Sequence, residues 1–255
     1  MTARMMDIQR IKVACGDCRL SPLCLSSGLN EEEMARLGDL IPRARLLQTE
    51  ELLYRQGEPL DALYAVRSGS LRTFAGQGNG QEQTLGFSLP GDLVGLDGLE
   101  DERHQCSSVA LETTTLCELP YARFRALCAE IPSLQGQMLH LIGKEICAEH
   151  GTLFLRGNRS AEARVAIFLL DLARRFGVCG LSRQEFNLSM SRHEIADYLG
   201  IAGETVSRQL GAFQRRGLIA VQQRNVRILD PVGLDAVAAQ DGEAQREGLC
   251  NGTAA

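Results

Sequence analysis

From Asn30 to Ile41 the apolar residues Met34, Leu37 and Leu40 recur at helical spacing, which predicts a short helix. The pattern then changes. Between Leu46 and Leu119 come short apolar or alternating runs, among them LYAVRSGSLRTF, QTLGFSL and SSVALETTTLCEL. Gly57, Gly69, Gly80, Gly86 and Gly91 punctuate them at expected turn positions, so the segment predicts a small antiparallel roll or barrel. Pro132 stands where a helix can begin, and Ser133 to Arg156 contains no further proline, only Gly136, Gly143 and Gly151 as weak points. That is a long helix. Its apolar positions Leu139, Ile142, Ile146 and Leu153 step by three, four and seven, a heptad seam suited to a partner helix. Glu149 interrupts the seam between Ile146 and Leu153 with a carboxylate. A further helix from Ala161 to Phe176 gathers Val165, Phe168, Leu169, Leu172 and Phe176 on one face, as the core of a second domain.

The clearest local signal lies beyond it. Ser191 to Glu194 reads S-x-x-E, a capping box in which serine hydroxyl and glutamate carboxylate satisfy backbone donors at a helix start. That helix runs through Ile195, Ala196 and Leu199 to Gly200, which can take the left-handed conformation of a tight turn. IAGETVSRQLGAFQRRG follows as a second helix, with Val206, Leu210 and Phe213 inward and Glu204, Ser207 and Arg208 outward. Two short helices around a glycine turn predict a helix-turn-helix, with the polar triplet near the start of the helix that reads bases. LIAVQQRNVRIL then predicts two short strands around Arg224 and Asn225, a wing. Chemically, Arg208 can donate a fork to guanine, Glu204 can accept from cytosine, and Ser207 suits several base edges. An ordinary Glu204–Arg208 ion pair on a solvated helix is the plainer use of the same residues.

Charge agrees with this division. Arg156 to Asp230 holds 12 arginines against seven acidic residues, a balance of +5, leaving −10 for the remainder of a chain whose net charge is −5. The basic module is the part expected to meet phosphate, and every cation in it is arginine, suited to forked contacts. No run of apolar residues approaches a membrane span, and the N-terminus lacks the apolar core of a secretory signal, so a cytoplasmic protein with no membrane partner is expected. Four scattered histidines, His104, His140, His150 and His193, form no acid–base constellation, which speaks against an enzyme.

Nine cysteines are many for a reducing compartment. Cys15, Cys18 and Cys24 form C-x2-C-x5-C, three thiols able to grip one metal centre, iron–sulfur or zinc, with a fourth ligand from elsewhere. Cys128, Cys147 and Cys179 lie in helical or core-like contexts, and Cys250 in a polar tail. Cys106 and Cys117 remain as candidates for the fourth.

A glycine-rich roll, a long helix and E-T-V-S-R in a winged helix-turn-helix together resemble the superfamily of the cyclic-AMP receptor protein and the fumarate and nitrate reduction regulator. The resemblance spans Cys15 to about Asp230. It implies an α+β fold with an N-terminal antiparallel β-roll, jelly-roll-like as in cyclic-nucleotide-binding domains, a long dimerisation helix and a C-terminal winged helix-turn-helix. The corresponding segments are a cysteine-rich arm at 1–29, the roll at 30–131, the dimerisation helix at 132–157, the DNA-binding domain at 158–235 and a disordered tail at 236–255. It also implies a homodimer on a palindromic site of double-stranded DNA, read by Glu204, Ser207 and Arg208. Ala202 departs from the family's usual Ser or Thr and removes a helix cap or phosphate contact.

In the cyclic-nucleotide branch a glutamate and an Arg-Ser pair hold ribose and phosphate. Aligned on Gly91 and Gly95, this chain has Leu96 at the glutamate and Cys106-Ser107 at the pair, so no cyclic nucleotide is expected. CGDCRLSPLC followed by ALETTTLCELP instead is similar to the oxygen-sensing fumarate and nitrate reduction regulators. That resemblance implies a 4Fe-4S cluster on Cys15, Cys18, Cys24 and Cys117. It further implies conversion to a 2Fe-2S form by oxygen, dissociation of the dimer, release of DNA, and control of anaerobic respiration genes. A member of the same fold with structural zinc, heme or small-ligand sensing is the alternative. Arg19 and Leu23 flank the ligands and are expected to tune access and charge around the cluster. The loop around Gly80 and Gln81 is expected to touch RNA polymerase, as resembling loops do. Ile146 and Glu149 are expected to form a dimer switch, because a carboxylate on a symmetric seam meets its own copy.

Overall fold

The computed structural model describes residues 15–16, 18–41, 44–76 and 81–239. The expected disordered tail at 236–255 begins too early, because residues 236–239 are helical with Val237 and Ala238 buried; the rest of that tail, with Cys250, the first 14 residues and Gly80 of the expected polymerase loop lie outside the described residues. The chain divides into two compact units, Met1–Ile146 and Cys147–Ala255.

In the first unit, helix α1 (Glu31–Leu40) starts at Asn30, whose side chain accepts from the Glu33 amide while Glu33 caps in return. Eight strands follow: β1 (Ala44–Leu47), β2 (Leu52–Tyr54), β3 (Ala62–Ser68), β4 (Leu71–Gly76), β5 (Glu82–Ser88), β6 (Leu93–Val94), β7 (Ser107–Ala110) and β8 (Thr114–Pro120). They form two antiparallel four-stranded sheets, ordered β1-β8-β3-β6 and β2-β7-β4-β5, the predicted roll. Gly86 departs from the expected turn position. It lies inside β5, next to a register shift in which Thr73 faces Gly86 and Phe74 faces Thr84, so Leu85 is the extra residue of a bulge.

Strand alternation sorts side chains into two cores. Leu116 enters the roll interior with Leu47, Leu71, Val94 and Cys106. Leu119, on the other face of β8, joins a core with Leu25, Leu37, Ala44, Ala65 and Phe124, closed by two helices. These are α2 (Tyr121–Glu130), which the sequence pattern did not announce, and α3 (Pro132–Asn158), the predicted long helix. Within the first unit α3 buries Leu134, Met138 and Leu141, while Leu139 and Ile146 are 64% and 47% exposed.

In the second unit, Leu153 and Phe154 of α3 are 66% and 57% exposed. Helix α4 (Ala161–Val178), capped by Ser160, buries Val165, Phe168, Leu169 and Leu172. Phe176 is half-buried and packs its ring 5.3 Å from that of Phe186. Phe186 belongs to β9 (Glu185–Asn187), a strand the pattern did not reveal. Helices α5 (Arg192–Leu199) and α6 (Gly203–Arg215) follow, then β10 (Ile219–Gln222) and β11 (Asn225–Ile228). The wing turn is Gln223–Arg224, with Asn225 already in β11, and β9 pairs with β11 to make a three-stranded sheet.

Candidate functional site

Helix α5 begins at the Ser191 capping box, the Ser191 hydroxyl accepting from the Glu194 amide at 3.2 Å and the Ser191 amide donating to Glu194 Oε2 at 2.6 Å. Ser191→Ala is expected to cost about 1 kcal/mol of the DNA-binding unit's stability, read by chemical denaturation. The helix ends at Gly200 with φ 65°, a left-handed conformation that a residue with a Cβ adopts only with strain. Arginines complete this turn. Arg164 donates to the carbonyls of Leu199 (3.0 Å), Gly200 (3.3 Å) and Arg156, and Arg156 Nε to the Tyr198 carbonyl (2.6 Å). Cations at the carbonyl end of α5 are favoured by its dipole.

Helix α6 buries Val206, Leu210 and Phe213, and turns Glu204, Ser207 and Arg208 outward, all three exposed. Arg208 donates to the Thr205 hydroxyl at 3.1 Å rather than pairing with Glu204, so the ion-pair use of these residues is not the one adopted. Ala202 starts the helix with no side-chain cap. The arginine excess is partly spent inside the unit. Arg216 pairs with Glu162 at 2.5 Å, Arg174 with Asp171 at 2.6 Å and Arg227 with Glu185 at 3.5 Å, besides the two arginines at the turn. The count of twelve arginines therefore exceeds what is free to meet phosphate, whereas the +5 balance already subtracts the paired acids.

The cysteines form a second site. Cys117 sits in the middle of its sheet, opposite Ala44 on one side and Ala65 on the other, so small neighbours leave room above it. Cys15, Cys24 and Cys117 are half-buried against one core. Burial, and then the charge of Cys18, raises the Cys15 thiol, while Arg67 opposes this. Burial pushes Cys24 up to about 11, with Cys15 and Cys18 adding. Burial likewise pushes Cys117 up to about 12, with Cys24, Cys15 and Cys18 adding and Arg67 opposing. All four thiols thus lie within electrostatic reach of one another. Yet among the described residues no group of three or more Cys, His, Asp or Glu converges closely enough for a single metal ion.

Of the competing cysteines, Cys128 packs against the same core as Cys15, Cys24 and Cys117, and the others lie elsewhere. Cys106 belongs to the roll interior, where its thiol donates to Asp97 Oδ2 at 3.1 Å. Cys128 is raised by burial alone, Cys147 is exposed on α3, and Cys179 caps α4. Arg67, two residues along β3 from Ala65, is the cation beside Cys15 and Cys117 and went unnoticed in the sequence. Its signal was the period-two alternation of β3, legible only once β3 is known to pair with β8. Arg19 is exposed, and Leu23 lies against Gly91, where φ is 94° and an added Cβ would sit 3.3 Å from the Leu23 Cβ.

At the position aligned with the phosphate-binding pair, Ser107 Oγ accepts from the Gln56 amide at 2.9 Å and Cys106 faces Asp97. Burial opposes ionisation of Asp97, but His104 and Cys106 hold its carboxyl below the usual range. His104, with Nδ1 3.5 Å from Asp97 Oδ1, stacks on Tyr54 with ring centroids 3.6 Å apart.

A roll of this topology joined to such a helix-turn-helix defines a class of bacterial transcription regulators. The Crp-like helix-turn-helix domain model matches residues 163–237, and the cyclic nucleotide-binding domain model matches residues 44–131. The transcriptional activator protein Anr of Pseudomonas protegens is 46% identical over 224 residues, 88% of this chain and 92% of that protein. The fumarate and nitrate reduction regulatory protein of Salmonella typhimurium is 38% identical over 226 residues, 89% of this chain and 90% of that protein. The structure of FixK2 from Bradyrhizobium japonicum is similar with a TM-score of 0.70 at 26% identity, covering 76% of this chain and 96% of that one. The chain belongs to the Anr and fumarate and nitrate reduction regulator family of DNA-binding transcription regulators. Among the described residues no helix is long and apolar enough to cross a membrane.

Proposed function

We propose that this protein is an oxygen-responsive transcription regulator, dimeric and bound to a palindromic DNA site while a 4Fe-4S cluster sits on Cys15, Cys18, Cys24 and Cys117. The observation that carries the reading is that Cys15 and Cys24 of the arm and Cys117 of β8 pack against one core, with Cys18 three residues from Cys15. Bound there, the cluster supplies a link that oxygen breaks. Cys15, Cys18 and Cys24 hold the arm side of that link and Cys117 the sheet side, three residues before β8 ends and α2 leads into α3. Arg67 offsets the negative charge of the thiolates. Because burial raises these thiols, loading releases protons and is favoured as pH rises. The carboxylate of Asp97 beside Cys106, in place of a cation, supports a roll that does not take a cyclic nucleotide.

Leu139 and Ile146 are exposed on α3, as a helix awaiting a partner would leave them. In a symmetric pair Glu149 meets its copy, and this repulsion keeps the cluster-free protein monomeric. Glu149→Ala is therefore expected to sediment as a dimer in air, and a variant that stays monomeric contradicts that role. DNA reading falls to Glu204, Ser207 and Arg208, with anaerobic metabolism genes as the targets the family suggests. Anaerobic purification with iron and sulfide assays and a visible spectrum tests the sensor. Four irons and four sulfides per chain are expected for the proposed cluster, whereas colourless protein with one tightly held zinc overturns it.

A further inference from the structure

Helix α3 carries a row of polar side chains along one side of its first half, and each member meets a different part of the first unit. Ser133 Oγ lies 2.7 Å from Glu33 Oε1 of α1. Gln137 Nε2 donates to the Cys24 carbonyl at 3.1 Å. Lys144 Nζ stands 3.7 Å from Asp92 Oδ1, in the turn whose Gly91 packs on Leu23. At about 100° per residue these three fall within roughly 40° of one another, and Leu139 and Ile146 lie roughly opposite them. One side of the helix is thus tied to the arm and roll while the other presents the exposed seam.

Gln137 is the member that touches a ligand residue. The Cys24 carbonyl accepts from Ser27 N at 3.1 Å as well as from Gln137, and the next residue, Leu25, is buried in the core that takes Leu134, Met138 and Leu141 of α3. Backbone of the arm cannot shift at Cys24 without breaking that bond or turning the helix. We infer that Gln137 is the positioning residue through which the state of Cys24 sets the orientation of α3 and hence of its dimer seam. The inference rests on the cluster reading above and adds the residue that transmits it.

The test compares wild type, Gln137→Met, which keeps length but cannot donate, and Gln137→Lys, which restores a donor. Each full chain is loaded anaerobically, its iron and sulfide are assayed, and its dimer constant is measured by sedimentation before and after the cluster is removed. Gln137→Met is expected to hold wild-type iron and sulfide yet dimerise roughly 5- to 150-fold more weakly when loaded, the loss of one such hydrogen bond in each protomer. Gln137→Lys is expected to recover, and all three cluster-free proteins to behave alike. Loaded Gln137→Met that dimerises like wild type overturns the inference alone. So does equal weakening with and without the cluster, which a purely structural role would give, and so does loss of the cluster from this variant. Wild type that carries no iron or sulfide overturns the cluster reading and the inference with it.

Discussion

Arg208→Ala is expected to weaken sequence-specific DNA binding strongly while leaving fold and dimer intact. Arg208 is exposed on the outward face of α6 and held only by a 3.1 Å bond to Thr205, so its truncation opens no cavity and unpairs no buried charge. A bidentate arginine–guanine contact is worth about 1–3 kcal/mol of discrimination. In a symmetric dimer both half-sites lose it together, so specific affinity falls by roughly 30-fold to 10⁴-fold. Binding to unrelated DNA depends on phosphate contacts and should weaken far less, with a slightly shallower salt dependence. Titration of a palindromic duplex and a scrambled one at fixed salt checks this. Equal weakening on both would make Arg208 a phosphate contact rather than a reader.

Cys117→Ala and Cys106→Ala are expected to differ sharply although both replace a thiol of the roll. Cys117 lies between Ala44 and Ala65 on the face where Cys15 and Cys24 pack, and its removal leaves the arm thiols without their partner on the sheet. The anaerobic variant should lack the cluster's visible absorbance, and its affinity for the palindromic site should fall on the order of 10³-fold, towards non-specific binding. Cys106 points into the other core and bonds to Asp97. Its alanine variant should keep iron, sulfide and DNA affinity, and lose about 1 kcal/mol of stability with the hydrogen bond. A Cys106 variant without iron, beside a Cys117 variant that keeps it, would reverse the assignment.

What could be read from the sequence was what short-range chemistry encodes. The Ser191–Glu194 capping box announces its helix through a side chain three residues from its partner amide, while the first helix was read from apolar spacing and its Asn30–Glu33 box was found only in the structure. The heptad spacing of α3 and the inward triplet of α6 are likewise local. Helix α2 was not legible, because it buries only Phe124 and starts at Pro120 without a side-chain cap. Nor was β9, three residues long and defined only by pairing with β11. Gly86 resembled a turn because glycine also serves bulges. In the cysteine site, three ligand candidates were visible as one motif, whereas the choice between Cys106 and Cys117 came from family resemblance. The physical distinction between those two is which face of the roll each occupies, and that depends on strand register. Arg67 and Gln137 act on groups that are distant in sequence, so the fold had to bring them together before either could be noticed.

The account stands most directly on one measurement: the affinity of the anaerobically purified full chain for a palindromic duplex, followed as air is admitted, with iron and sulfide assayed in the same samples. Specific binding should fall in step with loss of the cluster and of the dimer, leaving only salt-sensitive, sequence-independent association. Binding that is tight and specific both before and after air, whatever the iron content, would leave the DNA reader in place and contradict the sensor.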